Sequence, residues 1–318
     1  MIKRLLATAI ATSKKSCLLL GPRQTGKSTL IKSLKPDLSI NLSSESEFYR
    51  FSTQFDLLTE MISEQKPKTV FIDEIQRIPQ LLNTVQSIID DMPRAPKFYL
   101  TGSSARTLRR GHATLLPGRI HTFQLSGFCA AELGSDFDFK KALTYGTLPN
   151  PYLEPNLGEA AKTLRSYAST YLKEEIQAEA LTRNIQGFAR FLEVIAGMSG
   201  SVCDFSKLST KSKVSRTGCI RYVEILEDTM VAQRVPVFSD APDADVVKHP
   251  KIYFFDGGVL NGLYSNFEAS TDRIGALFEG FIFQQIRNSA MALDKDFKIE
   301  YFRTRHGLEV DFIVHLNR

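Results

Sequence analysis

The stretch Cys17–Leu34, CLLLGPRQTGKSTLIKSL, begins as a short apolar run, passes through Gly21, Gly26, Lys27 and Ser28, and continues with helical spacing. Its centre, Gly21-Pro22-Arg23-Gln24-Thr25-Gly26-Lys27-Ser28, satisfies G-x-x-x-x-G-K-[ST] in full. Each fixed position has a chemical reason. Glycine lets the backbone wrap closely so that successive N–H groups point at phosphate. Lys27 offers a positive charge to the β- and γ-phosphates, and Ser28 a hydroxyl to Mg²⁺. A helix starting near Lys27 turns its positive end to the anion, and Thr29 follows as a further contact. The competing reading is a chance glycine-rich turn. The strand pattern before the loop and the helix pattern after it favour the phosphate cradle.

Outward from the loop, SCLLL (Ser16–Leu20), LSINL (Leu38–Leu42), KTVFIDE (Lys68–Glu74) and KFYLTGS (Lys97–Ser103) read as strands. LLNTVQSIIDDM has helical spacing, and TFQLSGF (Thr122–Phe128) is a further strand candidate. Near-continuous apolar strands alternating with helices predict an α/β fold whose parallel sheet is covered on both faces. At TYGTLPNPYLEPNLGE the composition shifts to Pro, Gly and Asn, which places a first domain at 1–150. A helical section follows to about Met198.

TVFIDEIQ sets Asp73 and Glu74 at the carboxyl end of an apolar strand, where open parallel sheets bind ligands. Asp73 fits the Mg²⁺-water ligand of a nucleotide-hydrolysing site, and Glu74 the base that orients or deprotonates the attacking water. The plainer alternative is a strand ending in two solvated acids. KFYLTGSSAR ends in Thr101, Ser103 and Ser104, which can reach the γ-phosphate or the water; Ser103 or Ser104 can equally cap a following helix. Arg119 in LLPGRI is either a finger on transition-state charge, supplied within the chain or to a neighbouring subunit, or a surface charge.

The 318 residues, 43% hydrophobic and 24% charged, match a soluble protein of two or three domains. A net charge of +5 permits nucleic-acid contact without arguing for it. Cys17, Cys129, Cys203 and Cys219 lack Cys-x-x-Cys spacing and read as reduced thiols of a cytoplasmic protein. MIKRLLATAIATSKK has too short an apolar core for a signal peptide, and no run approaches the ~20 apolar residues of a membrane span. The five histidines show no ligand spacing.

Together LLLGPRQTGKSTL, VFIDEIQRIP, LTGSSARTLRRG and LPGRI resemble the AAA-type P-loop ATPases of bacteria and archaea that carry a C-terminal domain of unknown function. RYVEILEDTMVAQRVPVF, HPKIYFFDGGV, GALFEGFIFQQI and YFRTRHGLEVDFIV look like that C-terminal domain. The resemblance implies an AAA-like ATPase core using ATP and Mg²⁺. It further implies a helical linker and winged-helix module over 151–250 and a restriction-endonuclease-like (PD-(D/E)XK) domain over 251–318. The absence of a guanine-reading Asn-Lys-x-Asp leans the same way, toward ATP.

In the winged-helix candidate, FSKLST, a polar turn and SRTGCIRYVEILED precede MVAQRVPVF. Ser215 and Thr217 would start the second helix. Lys211, Lys213, Arg216 and Arg221 would meet DNA. The alternative is a packing module, with Glu224, Glu227 and Asp228 diluting the charge. The family's nuclease pattern needs Glu279, Asp311 and a following Glu-x-Lys around a metal. Here Arg318 closes the sequence without one, so the chain is truncated or the domain has lost that strand. Glu279, Glu309 and Asp311 therefore read as surface charge or a structural salt bridge, and Asp256 as a turn residue. The expectation is a Mg²⁺-dependent ATPase, with a homo-oligomer or protein partner open. The alternatives are a slow-turnover, nucleotide-dependent DNA-binding switch and, with less to support it, a small-molecule kinase.

Overall fold

A computed structural model describes residues 2–54, 56–103, 116–171, 184–238 and 247–316. Ser104 and His112 lie outside the described residues. The chain forms two compact units, Met1–Ser126 and Gly127–Arg318.

The first unit runs α1 (Leu6–Thr12), β1 (Ser16–Leu20), α2 (Lys27–Ser33), β2 (Leu38–Asn41), α3 (Glu45–Thr53), α4 (Leu57–Gln65), β3 (Thr69–Asp73), α5 (Leu81–Asp91), β4 (Lys97–Gly102) and β5 (Ile120–Gln124). The strands make one sheet in the order β2-β3-β4-β1-β5, every pair parallel. All of β1 is buried, and so is β4 after Lys97, as the apolar runs require of strands covered on both faces. One face gathers Cys17, Leu19, Phe71, Tyr99 and Phe123 against Leu6 and Ile10 of α1 and Leu30 and Ile31 of α2. Burial of each such side chain stabilises by about 1.5–3 kcal/mol. The Lys97 ammonium donates to Ile10, Ala11 and Ser13 carbonyls at 2.9, 3.2 and 2.6 Å, satisfying the open end of α1. Because β4 lies between β1 and β3, the carboxyl ends of all three strands meet.

The second unit contains α6 (Ala130–Leu133), α7 (Phe139–Tyr145), α8 (Pro149–Leu153), α9 (Leu157–Ser166), α10 (Ile185–Ala196), α11 (Phe205–Ser212), α12 (Arg216–Asp228), β6 (Ala232–Val235), β7 (Lys251–Phe254), α13 (Gly257–Tyr264), α14 (Ile274–Ala292), β8 (Phe297–Arg303) and β9 (Glu309–Leu316). β6 pairs antiparallel with β7, and β8 with β9. The Pro-, Gly- and Asn-rich stretch falls inside this unit. There Pro149 starts α8, and the Asn156 side chain accepts from the Gly158 and Glu159 N–H groups to cap α9. The composition shift thus marks junctions between short helices, and the first compact unit ends earlier, at Ser126. Phe188, Phe191, Leu192, Leu208, Cys219, Tyr222 and Val223 form a core shared by α10, α11 and α12. The four cysteines are free and buried. Among the described residues no helix is long and apolar enough to cross a membrane.

Asp256 caps α13, accepting from Val259 N–H at 3.0 Å and from Thr147 N–H at 2.7 Å. Burial outweighs these donors and pushes its carboxyl up to about 6. The folded chain therefore holds this proton at pH values where the unfolded chain has released it. The group's contribution to stability is greatest at low pH and falls as pH rises from about 4 to about 6, by about 3 kcal/mol. In urea unfolding at pH 4 to 7.5, the stability of the parent minus that of Asp256→Asn should decline across this window and level off above it. A difference flat across that range would refute the assignment.

Candidate functional site

The loop after β1 closes tightly. A Cβ at Gly21 would lie 2.1 Å from the Leu125 carbonyl oxygen, so glycine is required there by the neighbouring chain as well as by any phosphate. Gln24 and Gly26 take left-handed conformations with φ of 61° and 88°. Gly26 can do so without steric cost, and it is the residue from which α2 departs at Lys27. The Thr25 hydroxyl is buried and donates to the Pro22 carbonyl at 2.9 Å. Lys27 is buried too, its ammonium donating to the Gly21 and Pro22 carbonyls at 2.8 and 2.9 Å. Arg23 and Gln24 are half-buried on the loop, and Thr29 is exposed on α2.

The ends of β3 and β4 complete the site. Asp73 Oδ1 accepts from the Ser28 hydroxyl at 2.8 Å and from the Thr101 hydroxyl at 2.5 Å. Thr101, fully buried, also accepts from the Glu74 N–H at 3.2 Å. Glu74 has φ 58° and ψ 48°, left-handed for a non-glycine residue, and begins the tight turn Ile75–Arg77. The Ser103 hydroxyl, 6% exposed, accepts from Gln76 Nε2 at 3.0 Å, and the same nitrogen donates to Glu74 Oε2. Thus Lys27, Ser28, Asp73, Glu74, Thr101 and Ser103 are brought together. Gln76, which bridges two of them, was not singled out in the sequence, since a polar residue on a turn carries no spacing signal.

Arg119 is not brought there. It precedes β5, whose first residue Ile120 pairs with Ser16, the first residue of β1. That is the amino end of the sheet, a strand length of roughly 16 Å from the loop. Its guanidinium donates from Nε to Asp90 Oδ1 at 2.7 Å, and this bond holds the Asp90 carboxyl below its usual range. A finger acting on this chain's own loop is thereby corrected to a surface ion pair.

The residues present suit a triphosphate with Mg²⁺. Ser28 and Asp73 supply the hard oxygens that magnesium prefers, and the Lys27 ammonium is held by loop carbonyls that an anion can replace. Among the described residues no group of three or more His, Cys, Asp or Glu side chains is arranged to hold a metal ion.

In the second unit, Glu279, Glu309 and Asp311 converge on Lys251, which the sequence reading had not marked. Its Nζ donates to them at 2.8, 2.9 and 3.0 Å, and its side chain is 3% exposed. Burial acts to lower the ammonium's proton affinity. The bonds from Glu279, Glu309 and Asp311 outweigh it and hold the group above its usual range. Tyr253 donates to Glu279 Oε1 at 2.5 Å. The ammonium takes the place between the carboxylates that a cation would need.

On α11, α12 and their turn, Lys211, Lys213, Arg216 and Arg221 are exposed. Lys213 is left-handed (φ 54°), and Ser215 caps α12 by accepting from the Gly218 N–H at 3.1 Å. Glu227 is drawn off this surface, accepting from Arg234 Nε at 2.7 Å.

Residues 13–134 match the AAA domain family. Residues 136–270 and 274–318 match two families each described as a domain of unknown function, DUF8612 and DUF4143. Uncharacterized proteins from Mycobacterium bovis and Mycobacterium tuberculosis are each 25% identical over 308 residues, covering 94% of this chain and 67% of the relative. A Pyrococcus horikoshii signal transduction ATPase with numerous domains, bearing a tetratricopeptide repeat sensor, aligns at 11% identity and a TM-score of 0.27. The alignment covers 90% of this chain but 46% of that protein.

The Lys251 cluster yields a stability prediction. Lys251→Met leaves three carboxylates facing one another, and should destabilise the second unit by about 3–5 kcal/mol at pH 7.5. Denaturant unfolding of the parent and the variant at that pH checks it.

Proposed function

We propose that the AAA-type P-loop ATPase domain of residues 13–134 binds ATP with Mg²⁺ and hydrolyses it, and that the cycle moves or signals to the C-terminal modules. The observation that carries this reading is the Ser28–Asp73 hydrogen bond of 2.8 Å, which joins the phosphate loop to the second acidic motif across the sheet. Lys27 and the loop amides of Gly21–Ser28 hold the phosphates, with Arg23, Gln24, Thr25 and Thr29 as flanking contacts. Ser28 and Asp73 hold the metal, which when bound neutralises phosphate charge. Glu74 orients the attacking water, Thr101 keeps Asp73 and Glu74 in register, and Ser103 lies beside them. Arg119, at the far edge of the sheet, is available only to the site of a neighbouring subunit.

A second reading, a slow-turnover DNA-binding switch, is favoured by one observation. Lys211, Lys213, Arg216 and Arg221 are exposed on a helix-turn-helix while Glu227 is spent on Arg234. In this reading α11, α12, β6 and β7 act as a winged helix. For the last segment, the Lys251 ion cluster supports a structural role within a nuclease-like domain.

Calorimetry and phosphate release test the first reading. Lys27→Ala should weaken Mg-ATP binding about 100-fold, near 2.7 kcal/mol. Glu74→Gln should keep binding and lose turnover by at least about 100-fold. A Glu74→Gln protein as fast as the parent removes Glu74 from this role. For the second reading, DNA affinity should fall with salt at a logarithmic slope of about −3 to −4, and by about one less in Arg216→Ala. A slope near zero excludes phosphate contacts, and turnover with and without DNA separates the two readings.

A further inference from the structure

We propose that Gln76 is a positioning residue whose side-chain amide holds the Glu74 carboxylate in place and ties it to Ser103 at the end of β4. The role rests on the reading of Glu74 as the group that orients water.

Gln76 follows Glu74 by two residues, and the left-handed Glu74 backbone followed by the turn Ile75–Arg77 folds the amide back over the carboxylate. An amide nitrogen has two N–H donors. Here one goes to Glu74 Oε2 and the other to Ser103 Oγ at 3.0 Å, so both are used. The amide oxygen, by contrast, is buried with no hydrogen-bond partner among the described residues. A buried acceptor without a donor is destabilising, because it gave up water and gained nothing in return. Turning the amide over would let its oxygen accept from Ser103, but it would set that oxygen against the Glu74 carboxylate. The negative charge of Glu74 therefore fixes the orientation, at the expense of the oxygen.

The strand end is shaped to accept this arrangement. A Cβ on Gly102 would lie 3.0 Å from Gln76 Oε1 and 3.4 Å from Leu20 Cδ2. In Thr101-Gly102-Ser103, then, each residue serves the turn after β3. Thr101 bonds Asp73 and the Glu74 N–H, Gly102 leaves room for the amide, and Ser103 takes its second proton. Held at one end by its backbone and at the other by Gln76, Glu74 loses the rotamer freedom that would let it swing away from an attacking water. Orientation of this kind contributes to rate without contributing to nucleotide affinity.

The experiment has two arms. In nucleotide-free protein with ¹⁵N-labelled glutamine, the Gln76 side-chain amide is assigned by its loss in Gln76→Leu. It should show slowed hydrogen exchange in the parent and faster exchange with an upfield proton shift in Glu74→Gln. In the kinetic arm, Gln76→Leu and Gly102→Val should each lower kcat at least about tenfold, leave ATP affinity within about twofold, and melt cooperatively. Gln76→Glu, which sets a carboxylate against Glu74, should not restore the rate. An amide signal indifferent to Glu74→Gln overturns the proposal. So does kcat at the parent level in both Gln76→Leu and Gly102→Val, or a loss of rate matched by equal losses of affinity and melting temperature. If the parent binds ATP without turnover, the hydrolysis reading fails and the amide arm alone decides whether Gln76 holds Glu74.

Discussion

Asp73 Oδ1 accepts two hydroxyl hydrogens, one from Ser28 and one from Thr101, and that shared acceptor joins the ends of β3 and β4 to the first turn of α2. Its existence depends on sheet order. With β4 between β1 and β3, Thr101 reaches Asp73 from the adjacent strand, while Ser28 reaches it from the first turn of α2. A sheet with β1 beside β3 would leave no place for Thr101. The strand order therefore sets which polar groups meet at the strand ends.

The second unit handles buried charge in two ways. Asp256 relies on backbone N–H donors, so its burial is felt as a raised proton affinity. Lys251 is surrounded by three carboxylates and responds the other way, its charge reinforced despite burial. The difference follows from what each group faces. Backbone dipoles only partly replace water, whereas ionised partners at hydrogen-bond distance more than replace it. Both groups lock segments far apart in sequence: Asp256 ties the chain at Thr147 to α13, and Lys251 ties β7 to α14 and β9.

Local chemistry on this surface also depends on where charges are spent. Glu227 lies on the same helix as Arg216 and Arg221, yet its carboxylate is engaged by Arg234 of β6. The reverse holds for Arg119, whose guanidinium is engaged by Asp90 at the end of the sheet away from the loop.

The amino-acid order alone determined the phosphate loop, the four strands from Ser16 to Ser103, the acidic pair at the end of the third strand, and the helix start at Ser215, because each is a matter of neighbours along the chain. Turn chemistry, apolar runs and a strand-to-loop-to-helix succession are all local. Gln76, Gly102 and Lys251 carry no spacing signal in the sequence, which also leaves Arg119 open between a finger and a surface charge and gives no partner for Glu227. Tertiary structure decided these, since the role of a polar side chain is set by partners that strand order and helix packing bring to it across tens of residues. A residue's own type and spacing state what it can donate or accept; only the fold supplies the other half of each bond.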